Sequence, residues 1–148
     1  MAEADDSSND AGDQVLTVGD LMSRSVATVR DDQSVRTALD MLRTTALRHL
    51  VVVNKHDQFV GVLSDRVGVE SAGQDERQLA TARVRDLALD RRAQTQADRR
   101  LPDAVRLVLH HSAGALAVTD ENGRVVGIVT GADLLRGLLE IVDSIPRG

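Results

Sequence analysis

A chain of 148 residues with 42% apolar residues can bury a core without covalent staples. It has no cysteine, which excludes disulfides, thiolate zinc sites and a cysteine nucleophile. The net charge of -5 resides in Glu3, Asp5, Asp6, Asp10 and Asp13; the rest of the chain is neutral, which removes the net basic character that phosphate neutralisation by a nucleic-acid binder needs.

Residues 1–14 combine that acid with serines and almost no apolar mass, so the expectation is a disordered tail. The same stretch lacks the basic and apolar runs of a signal peptide. No later apolar run approaches the roughly 20 residues of a membrane span, so the expected product is soluble and cytoplasmic.

From residue 15 the elements can be taken in order. A short extended piece lies near Ala27-Thr28-Val29. Val35, Ala38, Leu39 and Leu42 then recur at helical spacing behind Ser34, a candidate N-cap. Leu50 to Val53, a polar turn at Asn54 to Gln58, and Phe59 to Leu63 predict a hairpin of buried β-branched strands, followed by a second helix.

Displacing the chain by 66 residues sets Val18-x-Asp20-Leu21 on Val84-x-Asp86-Leu87, Leu50 on Leu116, and Val60-Gly61-Val62-Leu63-Ser64 on Val126-Gly127-Ile128-Val129-Thr130, with no gap. The second copy has Pro102 near the start of its first helix and Asp120-Glu121-Asn122-Gly123 as its hairpin turn, where Gly123 can take positive φ. Each copy therefore reads as βαββα, an α+β unit, with copy 1 at 15–78 and copy 2 at 79–148.

This order, with V-x-D-L-M at Val18 to Met22, R-H-L-V-V-V at Arg48 to Val53 and G-V-L-S-D-R at Gly61 to Arg66, resembles the cystathionine-β-synthase (CBS) domain from residue 15 to about 143. The resemblance implies two repeats related by a pseudo-twofold axis, two clefts between them, and a regulatory module without catalytic residues or a catalytic cofactor. The implied ligand is AMP, ADP or ATP, with S-adenosylmethionine as a further candidate.

Gly127-Ile128-Val129-Thr130-Gly131-Ala132-Asp133 reads as a strand entering a helix, and Thr130 with Asp133 has the spacing of a capping box. In the family the hydroxyl faces phosphate and the carboxylate takes the ribose hydroxyls, so Ile128, Thr130, Ala132 and Asp133 become candidate ligand contacts. The family's crossed clefts imply closure by Met22, Ala27, Leu47, Arg48 and His49 of copy 1. In the opposite cleft Ser64 would face Ala93, Ala113, Gly114 and Ala115, and Val67 stands in place of the ribose carboxylate. That difference implies one nucleotide per chain.

His110 and His111 are adjacent on a predicted helix, about 100° apart, and read as filler rather than a chelating pair. Arg83, Arg85, Arg91, Arg92, Arg99, Arg100 and Arg106 are interleaved with Asp86, Asp90, Asp98 and Asp103, the pattern of a solvated surface. With Phe59 as the sole aromatic there is no stacking platform for single strands. The last helix carries Leu134, Leu135, Leu138, Leu139, Ile141 and Val142, more apolar surface than one buried face uses, which implies a homodimer or another protein partner. Two alternatives stay open beside nucleotide sensing: a ligand-free dimerisation scaffold and a nucleic-acid-binding protein.

Overall fold

The computed structural model describes residues 16–45, 47–66, 74–111 and 114–146. The acidic tail, Val67 and Ala113 lie outside the described residues.

A one-turn helix α1 (Val18–Leu21) leads into β1 (Thr28–Arg30), α2 (Val35–Thr45), β2 (His49–Val53) and β3 (Phe59–Ser64), with α3 (Glu76–Thr81) after them. A 3-10 turn at Val84–Asp86 then leads into β4 (Gln94–Thr95), α4 (Leu101–His110), β5 (Ala115–Thr119), β6 (Val125–Thr130) and α5 (Gly131–Asp143). Each copy holds a three-stranded sheet. β1 runs parallel to β2 across the α2 crossover and β2 antiparallel to β3; β4, β5 and β6 repeat the pattern. Even the register shift recurs, between Val52 and Val53 in copy 1 and between Val118 and Thr119 in copy 2.

Local chemistry explains the elements. Ser34 Oγ accepts the Thr37 N–H at 3.2 Å, which starts α2. Pro102 sits in the first turn of α4, where its missing N–H costs nothing. Gly123 has φ +80° at the β5–β6 turn, while Asp57, its counterpart in the β2–β3 turn, takes φ +63° despite its side chain.

Alternation along β2 divides the core. Leu50 and Val52 face α2 with Val29, Ala38, Leu42 and Leu63, whereas Val51, Val53 and Val62 join a cluster with Leu101, Ala104, Leu116, Val118 and Val129 of the other copy. The second cluster also takes in Val18 from the first lead-in segment, and the first takes in Val84 from the second.

Each lead-in segment therefore packs on the opposite copy, and the hydrogen bonds repeat under the 66-residue shift. Val18 N–H donates to Arg99 O and Gly19 N–H to Ala97 O; Val84 N–H donates to Gln33 O and Arg85 N–H to Asp31 O. Ser23 and Ile128 exchange both backbone bonds at 2.9 Å, and Val62 and Asp90, with Asp90 one residue beyond the counterpart of Ser23, do the same at 2.9 and 3.0 Å. The two hairpin turns meet through Phe59 N–H to Gly123 O and Val125 N–H to Asp57 O. These reciprocal pairs are the signature of a pseudo-twofold axis between two copies of one unit.

The exchange also accounts for Gly61 and Gly127. A Cβ at Gly127 would stand 2.7 Å from Met22 Sδ and 2.9 Å from the Ser23 carbonyl oxygen, and one at Gly61 would stand 2.8 Å from Leu89 Cβ. Glycine is required where the crossing segment lies on the strand. Gly127→Val should therefore cost about 1–3 kcal/mol through overpacking, a fall of roughly 3–10 °C in thermal midpoint. A calorimetric scan checks this, and an unchanged midpoint would show that the segment does not lie there.

Candidate functional site

β6 delivers the chain to α5 at Thr130, whose extended backbone (φ -107°, ψ 168°) makes it the N-cap. Asp133 Oδ2 accepts the Thr130 N–H at 2.8 Å and the Thr130 hydroxyl at 3.0 Å, while Thr130 Oγ1 accepts the Asp133 N–H at 3.3 Å. This is a complete capping box. The Gly131 N–H donates to Gly114 O at 3.1 Å, so the β5 entry turn is tied to the first turn of α5. Gly114 takes φ +73°, and a Cβ there would lie 3.9 Å from His49 Nε2 of the other copy.

Between these elements lies a cleft of about 540 Å³, lined by Ser25, Ala27, Leu47, Arg48, His49, Gly114, Ile128, Thr130, Gly131 and Ala132. That volume lies within the usual range for small-molecule sites, about 300–1,000 Å³. One wall is the lead-in segment and β2 entry of copy 1; the other is β6 and the N-terminus of α5 from copy 2. α5 has 13 residues, and its N-terminus carries the positive end of the helix dipole. Ala27, Leu47 and Ile128 give the cleft an apolar part, Arg48 supplies a permanent positive charge, and among the described residues none that lines it is a carboxylate.

Of the nine residues named from sequence, seven line this one cleft: Ala27, Leu47, Arg48, His49, Ile128, Thr130 and Ala132. Met22 and Asp133 do not. Met22 lies over Gly127, where its sulfur fills the space left by the absent side chain. The Asp133 carboxylate turns back along its own helix: one oxygen completes the cap, and the other pairs with Arg136. Ser25, Gly131 and Gly114 line the cleft without having been singled out for it. Ser25 lies two residues before Ala27, and Gly131 follows Thr130. Gly114 was expected in the opposite cleft, but its carbonyl bond to Gly131 holds it against this one.

His111 is not filler. Its Nδ1 lies 2.9 Å from Asp90 Oδ2, with both side chains largely buried, and so joins the end of α4 to the lead-in segment bonded to Val62. The arginines weighed for nucleic-acid binding, from Arg83 to Arg106, are all exposed. Among the described residues no group of three His, Cys, Asp or Glu could hold a metal ion, and no helix is long and apolar enough to cross a membrane.

Comparison with known proteins agrees with this architecture. The chain is 30% identical over 120 residues to a homoserine O-acetyltransferase of Methanococcoides burtonii, covering 81% of this chain but 24% of that enzyme. It is 26% identical to a CBS domain-containing protein of Dictyostelium discoideum, covering 88% of this chain and 97% of that one. Among solved structures, CBSX2 from Arabidopsis thaliana superposes with a TM-score of 0.76 at 27% identity, over 88% of this chain and 99% of that chain. CBSX2 in complex with AMP gives a TM-score of 0.73 at 29% identity, over 85% and 98%. The profile of the CBS domain itself matches twice, at residues 18–66 and 94–140. With the duplication, the exchanged lead-in segments and both profile matches in place, the chain belongs to the CBS domain family, as a tandem CBS pair.

Proposed function

We propose that this CBS pair binds one adenosine nucleotide per chain in the cleft between its copies, and that occupancy regulates a partner protein. The observation that carries this reading is the composition of the cleft: a helix N-terminus from copy 2 faces Arg48 from copy 1 across an apolar wall. A helix dipole end and a guanidinium are what a phosphate needs, and Ala27, Leu47 and Ile128 offer a base a dry surface. CBSX2, a related pair, forms a complex with AMP. A ligand seated here touches both copies, so its binding energy is coupled to how they sit together, which is the physical basis for regulation.

Asp133 enters as the ribose acceptor. Its pair with Arg136 involves a guanidinium side chain that is 67% exposed, and such surface pairs are worth about 0–1 kcal/mol, so ribose hydroxyls can displace it while the other oxygen keeps the cap. The chain spans about a quarter of the acetyltransferase it matches, 24%, and we propose no catalytic activity for it. Outside the cleft, Leu135 and Leu139 of α5 are 64% and 60% exposed, beside an apolar groove formed by Val105, Val108, Leu109, Leu134 and Leu138. We propose that this face joins two chains in a homodimer.

AMP at 100 times its Kd should stabilise the protein by about 2.7 kcal/mol in a calorimetric scan, whereas a ligand-free scaffold would show no shift. Titration calorimetry should give a stoichiometry near one per chain, and Asp133→Ala should weaken AMP at least about tenfold. Because the same substitution removes the cap, the free protein should also lose about 0.5–2 kcal/mol. Affinity indifferent to Asp133→Ala, or two nucleotides per chain, would contradict the site.

For association, light scattering should give about twice the chain mass of 15.9 kDa, and Leu135→Glu with Leu139→Glu should return the mass to that of one chain. A monomeric wild-type protein at micromolar concentration would contradict the dimer.

A further inference from the structure

The two copies cover their crossover helices differently. Under the 66-residue shift Leu39, Leu42 and Arg43 of α2 correspond to Val105, Val108 and Leu109 of α4. On α2 both leucines are buried; Leu79 of α3 packs against Val35 and Leu39, and Arg36 pairs with Glu76 at the rim. On α4 Val105 and Val108 are half-buried and border a groove of about 190 Å³ with α5, and Leu109 is 79% exposed where α2 carries an arginine. The same shift sets Asp13 on Leu79, an acid in place of the leucine that seals copy 1. Among the described residues, copy 1 covers its helix from within the chain and copy 2 does not.

Beside that groove α5 presents Leu135, Leu138, Leu139 and Val142, one face of a helix, all of them exposed. Leu135 and Val142 are equally spaced from the centre of that stripe at Leu138 and Leu139. Along its edge the exposed charges are Arg136 toward one end, and Glu140 and Asp143 toward the other. Asp133 is largely buried in the cap; it takes one nitrogen of Arg136, and the guanidinium keeps further N–H donors. A helix edge that is basic at one end and acidic at the other complements itself when antiparallel, the relation a twofold axis imposes. We propose that two chains pair copy 2 to copy 2, with α5 antiparallel to α5 about a twofold axis at Leu138 and Leu139, and with copy 1 of each chain outside the interface. Leu135 of each chain then meets the partner's Val142, and Arg136 comes within a helical turn of the partner's Glu140. The inference rests on the homodimer reading above and goes beyond it in assigning which copies meet, in which direction and through which charges.

The test uses the full chain, which has no cysteine, so that one introduced thiol reports one contact. A disulfide needs Cα atoms within about 7 Å. Under mild oxidation Leu139→Cys should therefore give a covalent dimer, whereas Arg43→Cys, at the counterpart of Leu109 on copy 1, should stay single. Arg136→Glu and Glu140→Arg should each weaken the dimer about tenfold in sedimentation, because each sets like charges against one another twice across the axis. An equal mixture of those two variants should recover to within about threefold of wild type, since the mixed pair restores opposite charges at both crossings. Damage to the fold of either chain would not be repaired by mixing. Melting of each variant confirms that it is folded, and the charge exchange decides the matter if the cysteine variant is not. A dimer in which Arg43→Cys cross-links as readily as Leu139→Cys, or in which mixing recovers nothing, would overturn the inference and leave the homodimer standing. A wild-type protein of single-chain mass at micromolar concentration would overturn both.

Discussion

Two reciprocal backbone exchanges, Ser23 with Ile128 and Val62 with Asp90, fix how the copies sit together, and the cleft follows from that arrangement. Each exchange contributes two hydrogen bonds, worth about 0.5–1.5 kcal/mol apiece after desolvation. The larger energy comes from the apolar cluster they align: burying a valine or leucine is worth roughly 1.5–3 kcal/mol, and Val18, Val51, Val62, Leu116, Val118 and Val129 meet there. The hydrogen bonds thus set register and the apolar contacts supply stability. Because the lead-in segment of each copy completes the other, neither copy closes its core alone. Gly61 and Gly127 are the sequence cost of that crossing, since any side chain there would displace backbone.

The same crossing gives the cleft two unlike walls. A single α+β unit would present a helix N-terminus to solvent, where phosphate binds weakly; here β2 of the other copy and the residues leading into it bring Leu47, Arg48 and His49 against it. Thr130 and Asp133 show how fold and site share atoms. One carboxylate oxygen stabilises α5 whether or not a ligand is present, and the other is held by an exposed guanidinium that exchanges at small cost. In the proposed site, stability and ribose recognition would draw on the same side chain through different oxygens.

Much of this was legible in the sequence because it depends on order and spacing. The 66-residue displacement gave both hairpins, both crossover helices and the pseudo-symmetry, and it carried through to individual hydrogen bonds that no propensity argument would produce. Membership of the cleft was legible for Ala27, Leu47, Arg48, His49, Ile128, Thr130 and Ala132, through resemblance to a family whose clefts are crossed. What escaped depends on rotamers and on contacts between the copies. Met22 was displaced from the cleft by the vacancy over Gly127, a packing fact visible only once the two segments are juxtaposed. Asp133 turned toward Arg136 because a residue three positions on along a helix lies within reach, a competition that spacing permits but does not decide. The His111–Asp90 contact joins residues 21 apart through tertiary placement, and neither residue carries a local signal of it.

The central claim is that one ligand is held by both copies at once. Backbone amide NMR during an AMP titration tests it most directly. The account predicts that Ala27, His49, Gly131 and Ala132 shift along a single saturation curve, while Asn122 and Gly123 at the far hairpin turn stay in place. Shifts confined to one copy, or two curves with different midpoints for the two walls, would contradict it.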